Sequence, residues 1–188
     1  MLINKYLPNF HFNEYHSKEI NGTREEILAA INSLQISEIS IVVNYLLFFR
    51  SLTLKKKKKR NFDRNTLLLE KMQNSNFYIL EQSDSEIVIG LIGQFWNLRD
   101  INEIKIESTD EYLNFNNGNY GIVATNFFIE EKEGISILST ETRIKIGDPS
   151  SRRKFAIYWF FIYLGSSLTR KILLNAIKKK VENYSRSE

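Results

Sequence analysis

The alternation of apolar and polar positions divides the chain into an N-terminal helical part and a longer part rich in strands. Residues 11–20 are polar with interspersed apolar side chains, which predicts a strand that ends at the Asn21-Gly22 turn. Thr23 stands three residues before Glu26, the spacing of a capping box, and apolar positions at helical spacing follow. Residues 39–52 are apolar on most sides, so a helix there would be buried or lie against lipid.

The second half predicts antiparallel strands followed by one long helix. Residues 86–96 are apolar on both faces, residues 101–107 alternate, and residues 120–131 and 135–146 form the two longest runs of strand pattern. Asp148-Pro149 supplies an N-cap and first position for a helix reaching about residue 181, which Gly165 is expected to weaken or kink. The pattern predicts an α+β fold: a single domain over residues 1–188, with a curved antiparallel sheet around a long C-terminal helix and extra N-terminal helices.

The strand over residues 135–146 has two chemically different faces. Thr140 and Thr142 share one face with aliphatic residues and are expected to point inward, where their hydroxyls could orient the polar end of a ligand. The alternative is that β-branched Thr simply suits a strand. Glu141 and Arg143 share the other face and are expected to form an outer ion pair of little energetic weight.

Aromatic residues are abundant: 13 Phe, 9 Tyr and 2 Trp make up 13% of the chain. Large rings fill protein cores, and they also line pockets for apolar ligands. Both interpretations stay open for the rings nearest the predicted sheet–helix interface, which are Phe95, Trp96, Phe127, Phe155, Tyr158 and Trp159.

Several kinds of chemistry are disfavoured. The chain has no Cys, and His11 and His16 are five apart in a predicted strand, so they point to opposite faces and make a poor metal pair. No phosphate-binding Gly loop, nucleophile elbow or dinucleotide motif occurs, so we predict no metal, no cofactor and no catalytic residues. The N-terminus lacks a signal-peptide pattern and the apolar runs are too short to span a bilayer, so we expect a cytoplasmic protein.

The net charge of +4 is concentrated in one run. That run consists of Lys55, Lys56, Lys57, Lys58, Lys59 and Arg60. It could be a solvated loop, or a contact for an anionic membrane surface, since it directly follows the apolar residues 39–52. Nucleic acid is a less suitable partner because the run contains no aromatic residue on which bases could stack.

Four segments carry a resemblance that covers residues 6–181. They are GLIGQFW (90–96), STETRI (139–144), DPSSRRKFAIYW (148–159) and GSSLTRKILLNAIKKKVE (165–182). In these segments the chain resembles an uncharacterised bacterial branch of the START-like (SRPBCC) superfamily. Two positions depart from that pattern: Leu164 stands where Pro is usual, and Gln94 where Arg is usual. The resemblance implies a helix-grip fold, in which the C-terminal helix closes an apolar cavity.

Three functions are compatible with these features. The first is binding or carriage of an apolar or lipid-like small molecule in a cavity between the sheet and the C-terminal helix. The second is a polyketide cyclase-like enzyme, for which Thr140, Thr142, Asn126 and Tyr158 are the available polar groups. The third is a membrane- or partner-interaction protein that uses residues 39–52 and 55–60. A roomy cavity would favour the first, converging polar groups the second, and a packed interior with an exposed apolar patch the third.

Overall fold

The fold is α+β, with one antiparallel sheet packed against a long C-terminal helix, as the sequence predicts. The computed structural model describes residues 1–39, 65–97, 102–132 and 135–184. The elements in chain order are α1 (Ile3–Tyr6), β1 (Phe12–Ile20), α2 (Arg24–Asn32), a 3₁₀ turn (Ile36–Ile39), α3 (Leu68–Gln73), β2 (Tyr78–Gln82), β3 (Glu86–Gly93), β4 (Glu103–Ile104), α4 (Thr109–Asn114), β5 (Gly121–Lys132), β6 (Ile135–Ile146) and α5 (Pro149–Tyr184).

The strands pair in the order β1-β6-β5-β3-β2, and β4 pairs with the end of β3 beyond β2. Every pairing is antiparallel. The pairing of β1 with β6 runs from Phe12 opposite Ile144 to Ile20 opposite Ser136. The first strand of the chain is therefore hydrogen-bonded to the last one, and both lie under α5.

Local capping signals set the starts of the two main helices. At α2 the Thr23 hydroxyl accepts the Glu26 N–H at 3.3 Å, while the Glu26 carboxylate accepts the Thr23 N–H at 2.7 Å, which completes the predicted capping box. At α5 the Asp148 carboxylate accepts the Ser151 N–H at 2.6 Å, and this bond lowers the pKa of Asp148. The 36 residues of α5 span about 54 Å. The helix assignment is continuous through Gly165, where the sequence predicts a weakened or kinked helix.

Both faces of the sheet are covered, which explains why β3 is buried along its whole length. One face packs against α2 and α5, and we call it the grip face. The other face, the back face, packs against α1 and α4, with the Tyr112 hydroxyl donating to the Val123 carbonyl at 3.1 Å. Burial of that phenol raises the pKa of Tyr112.

The back face buries charged groups that the sequence placed at the surface. Arg143 and Glu141 form the expected pair, with Nε–Oε1 at 2.9 Å and Nη2–Oε2 at 3.0 Å, but both side chains are about one-tenth exposed. The guanidinium also donates to the Asn4 side chain at 2.7 Å and the Leu7 carbonyl at 3.2 Å. The pair is buried because the N-terminal residues fold over it, a contact that the local pattern does not encode.

Two predictions change at the edges of the described ranges. Of the strand expected over residues 101–107, residue 101 lies outside the described ranges, and the described residues 102–107 form a strand at Glu103–Ile104. The helix expected over residues 39–52 lies outside the described residues beyond Ile39, as does the basic run at 55–60. Within the described ranges, no helix combines the length and the hydropathy that a transmembrane span requires.

His11 gives the folded protein a pH dependence whose sign follows from its surroundings. Desolvation, and then the charges of Arg152 and Lys145, lower the pKa of His11, whose Nδ1 accepts the Ile146 N–H at 3.1 Å. The neutral form is therefore favoured in the fold, and its stabilising contribution is present above the unfolded pKa of about 6.5 and lost as pH falls through the folded pKa.

We expect His11→Asn, which keeps an acceptor at this position, to lose less stability than the wild type on acidification. Urea unfolding between about pH 7.5 and about pH 5.5 measures the difference in slope. Parallel slopes for the two proteins would show that His11 is not the group responsible.

Candidate functional site

A cluster of aromatic side chains lies between the sheet and the first turns of α5. Phe155 is its centre, is 1% exposed and packs edge-on against Trp96, with ring centroids 5.8 Å apart. Phe155 also contacts Trp159 at 5.7 Å and Tyr158 at 5.8 Å, and Phe12 at 4.9 Å. Five of the predicted ring residues therefore come together here: Phe95, Trp96, Phe155, Tyr158 and Trp159. All except Phe155 are half-buried.

Two facing glycines make room for the rings that come from the end of β3. Gly93 and Gly121 are paired in the sheet. A Cβ at Gly93 would lie 2.7 Å from the Phe95 ring, and one at Gly121 would lie 3.2 Å from it. Gly93 is thus a position of close approach, where the missing side chain allows Phe95 and Trp96 to fold back over the sheet.

An open depression of about 470 Å³ adjoins this cluster. Trp96 forms part of its wall, and Gln94, Asn97, Asn119, Ser151 and Lys154 supply its other lining groups. The Gln94 amide donates to the Asn119 carbonyl at 3.1 Å, which joins two of the lining segments. The depression is open to solvent and its lining is mostly polar, with one aromatic ring, Trp96, and one cation, Lys154.

A band of polar side chains crosses the middle of the grip face, below the aromatic cluster. Glu14 on β1 is fully buried, and its carboxylate accepts from Ser166 at 2.6 Å and contacts His16 Nε2 at 2.9 Å and Arg170 Nε at 3.3 Å. Arg170 also donates to Thr142 at 2.7 Å, and Thr142 donates to Thr125 at 2.7 Å. These groups cross-link β1, β6, β5 and α5 within one hydrogen-bonded cluster.

The chemistry of the polar band is that of a structural ion pair. The Arg170 side chain is 18% exposed, and desolvation lowers its pKa while the Glu14 carboxylate opposes that change. The inward orientation predicted for Thr142 is confirmed by its bond to Arg170. Thr140 is buried on the same face, two residues away. Thr142 is thus part of this band and Thr140 lies beside it, while the aromatic cluster lies farther along the sheet.

The remaining predicted residues lie elsewhere. Phe127 belongs to a second apolar cluster, formed with α2 and the C-terminal part of α5 around Leu174 and Ile177. Asn126, weighed as a catalytic group, points to the back face, where its amide donates to Glu86 at 2.6 Å and accepts the Glu141 N–H at 2.8 Å. The basic run over Lys55–Arg60 cannot be placed relative to the site, since it lies outside the described ranges.

Sequence reasoning missed Glu14, Ser166 and Arg170. Glu14 sits in a strand of otherwise surface-like alternation, and Arg170 in a helix with many cations, so neither stands out locally. The one usable signal was the alternation of residues 11–20, which places Glu14 and His16 on the same side as Phe12 and Ile20. Among residues 1–39, 65–97, 102–132 and 135–184, no group of three His, Asp or Glu side chains is arranged to hold a metal ion.

Comparison with known proteins adds no functional information. No protein-family model matches the chain, and no curated protein matches it. Two solved structures align along most of its length. TTHA0849 from Thermus thermophilus shows 6% identity over 93% of this chain and 99% of its own, with a TM-score of 0.37. The hypothetical protein jhp0584 from Helicobacter pylori shows 6% identity over 94% and 92%, with a TM-score of 0.38. Scores this low carry no argument about this chain.

Proposed function

We propose that the protein binds an apolar or amphipathic small molecule at the aromatic end of the grip, between the sheet and the first turns of α5. The observation that carries the proposal is that the aromatic cluster, in which the rings around Phe155 are half-buried, adjoins an open depression of about 470 Å³. Half-buried rings gain contact area when an apolar group covers them. The START-like resemblance, which covers residues 6–181, implies an apolar cavity between the sheet and the C-terminal helix and so favours ligand binding in this layer of the fold.

The lining also favours a ligand with a polar or anionic end. Lys154 is the charged group of the depression, and Gln94, Asn97 and Asn119 offer amide donors and acceptors beside it. A ligand whose chain covers Trp96 and whose anionic end reaches Lys154 would match this lining. A fatty acid has that chemistry and makes a practical probe.

The two Trp residues of the chain both lie in the aromatic cluster, so tryptophan emission, excited selectively over that of the nine Tyr residues, reports on this cluster. We expect dibromostearic acid, whose bromine atoms quench Trp emission, to quench the protein in a saturable way. Unbrominated stearic acid should compete with it. Trp159→Phe leaves Trp96 as the only reporter and Trp96→Phe leaves Trp159, so the pair of variants shows which ring is nearer the chain.

Lys154→Glu reverses the charge of the one cation that lines the depression. We expect it to weaken fatty-acid binding at least tenfold, which corresponds to roughly 1.4 kcal/mol, because the anionic end of the ligand then meets a carboxylate. Leu113→Ser, an exposed change on α4, is the matched control and should leave binding unchanged. Quenching that is not saturable, or that is equal in Lys154→Glu and the wild type, would contradict the proposal. Native mass spectrometry of the purified protein tests the same site for a co-purifying ligand.

A further inference from the structure

The outward side of α5 carries an exposed apolar stripe. Ile157, Phe160, Phe161, Leu164 and Leu168 follow one another at helical spacing on the side away from the sheet. Phe160, Phe161 and Leu164 are 76%, 72% and 77% exposed. The stripe is about 16 Å long and is opposite Trp159 and Ser166, which face the sheet. Contiguous exposed apolar surface of this kind marks an interaction site.

Positively charged side chains flank the stripe at both ends. Arg153 and Lys154 precede it by one turn on the same side of the helix, and Lys171 and Lys179 follow it, all of them exposed. No Asp or Glu occurs between Pro149 and Val181. The face is thus apolar in its centre and positive at both ends, with no acidic side chain of the helix to neutralise it.

We propose that this face of α5 docks onto an anionic lipid membrane, with the helix lying flat in the interface. Phe and Leu side chains enter the boundary between headgroups and acyl chains, while Lys and Arg remain at the level of the phosphates. Tyr163 beside the stripe is 41% exposed and suits the same interface. The charge pattern favours lipid as the partner. An anionic membrane offers an apolar interior that suits the stripe and diffuse negative charge that suits the cations on either side of it.

The inference does not rest on the proposed ligand site, and it does not use residues 55–60. The stripe and the ring cluster lie on opposite sides of α5. Lys154 lines the depression as well as the outward side, so it is left unchanged in the variants below.

The experiment is co-sedimentation of the full chain with vesicles of phosphatidylcholine alone or of phosphatidylcholine with one quarter phosphatidylglycerol. We expect binding to the anionic vesicles only, weakened when salt rises from about 0.1 M to about 0.5 M. Phe161→Ser combined with Leu164→Ser should lower the partition coefficient at least tenfold. Arg153→Gln combined with Lys179→Gln should lower it about 25-fold, at roughly fivefold for each cation.

Two controls separate this face from other surfaces. Leu113→Ser removes an exposed apolar side chain on α4 and should leave the partition coefficient unchanged. Replacing Lys55 to Lys59 by Ser removes the basic run and should leave the effect of the stripe variants intact. The stripe variants should also leave quenching by dibromostearic acid unchanged, which distinguishes failure here from failure of the ligand site.

Four results would overturn the proposal. Equal binding to neutral and anionic vesicles would remove the role of charge, and wild-type binding by the Phe161→Ser, Leu164→Ser variant would remove the role of the stripe. A wild-type dimer that this variant converts to a monomer, measured by light scattering, would assign the face to a second copy of the chain. A fall of several degrees in the Tm of this variant, measured without vesicles, would show that other residues of the chain pack against the stripe in the folded protein.

Discussion

Arg170→Ala is expected to destabilise the protein by about 3–5 kcal/mol, because it leaves the buried Glu14 carboxylate without its guanidinium partner. Thr142 loses a donor in the same change, since Arg170 donates to its hydroxyl at 2.7 Å. For a chain of this length the loss corresponds to a drop in Tm of roughly 10 °C. Urea unfolding and a thermal melt measure it directly.

Arg24→Ala is the matched control for this prediction. Arg24 also makes two ion pairs, but its partners Asp84 and Glu131 are 80% and 45% exposed, so we expect a loss of about 0–1 kcal/mol. Replacing both members of the buried pair, as Glu14→Gln with Arg170→Met, should recover much of the stability because no charge is then left unpaired. Equal losses for Arg170→Ala and Arg24→Ala would mean that the polar band is hydrated in solution.

Phe155→Ala is the second change with a large expected effect, again about 3–5 kcal/mol, because it removes the ring at the centre of the aromatic cluster. Trp96 and Trp159 both lose a ring neighbour, so the fluorescence of the folded variant should also move to longer wavelength. Equilibrium unfolding gives the energy, and an emission spectrum of the folded state gives the shift.

Phe160→Ala is the control on the same helix. Phe160 is five residues farther along and lies on the outward side, where removal of its ring leaves the core untouched and should change stability by less than about 0.5 kcal/mol. A loss for Phe160→Ala as large as that for Phe155→Ala would show that the outward side of α5 is covered within the folded chain. That result would also contradict the membrane proposal.

The sequence predicted those features of the fold that depend on residues close together in the chain. The capping box of Thr23 and Glu26, the Asp148 N-cap and the strand over residues 135–146 are all confirmed. Each is decided by side chains within a few positions of one another, or by a period of two or 3.6 residues. Burial of β3 on both faces follows from the apolar pattern of residues 87–93 for the same reason, whereas the burial of Glu86 does not.

The features that were missed all depend on contacts between distant segments. The sequence could not distinguish Phe155 from Trp159, since four residues separate them and both are predicted to face the sheet. Only the packing shows that Phe155 is buried and Trp159 is half-buried. Glu14 and Arg170 form a pair across 156 positions of sequence, which no local pattern encodes. Arg143 is likewise buried by a distant segment, the one that contains Asn4 and Leu7.

The pairing of β1 with β6 has a consequence for how the chain folds. Phe12 lies opposite Ile144 and Ile20 opposite Ser136, so every contact between these strands closes a loop of more than a hundred residues. Closing such loops is entropically expensive, and chains dominated by distant pairings fold slowly. During synthesis β1 cannot complete its pairing until β6, which ends at Ile146, has emerged, and α5, which holds both strands through Ser166 and Arg170, follows β6. These three distant elements therefore become native together, as one late and cooperative step.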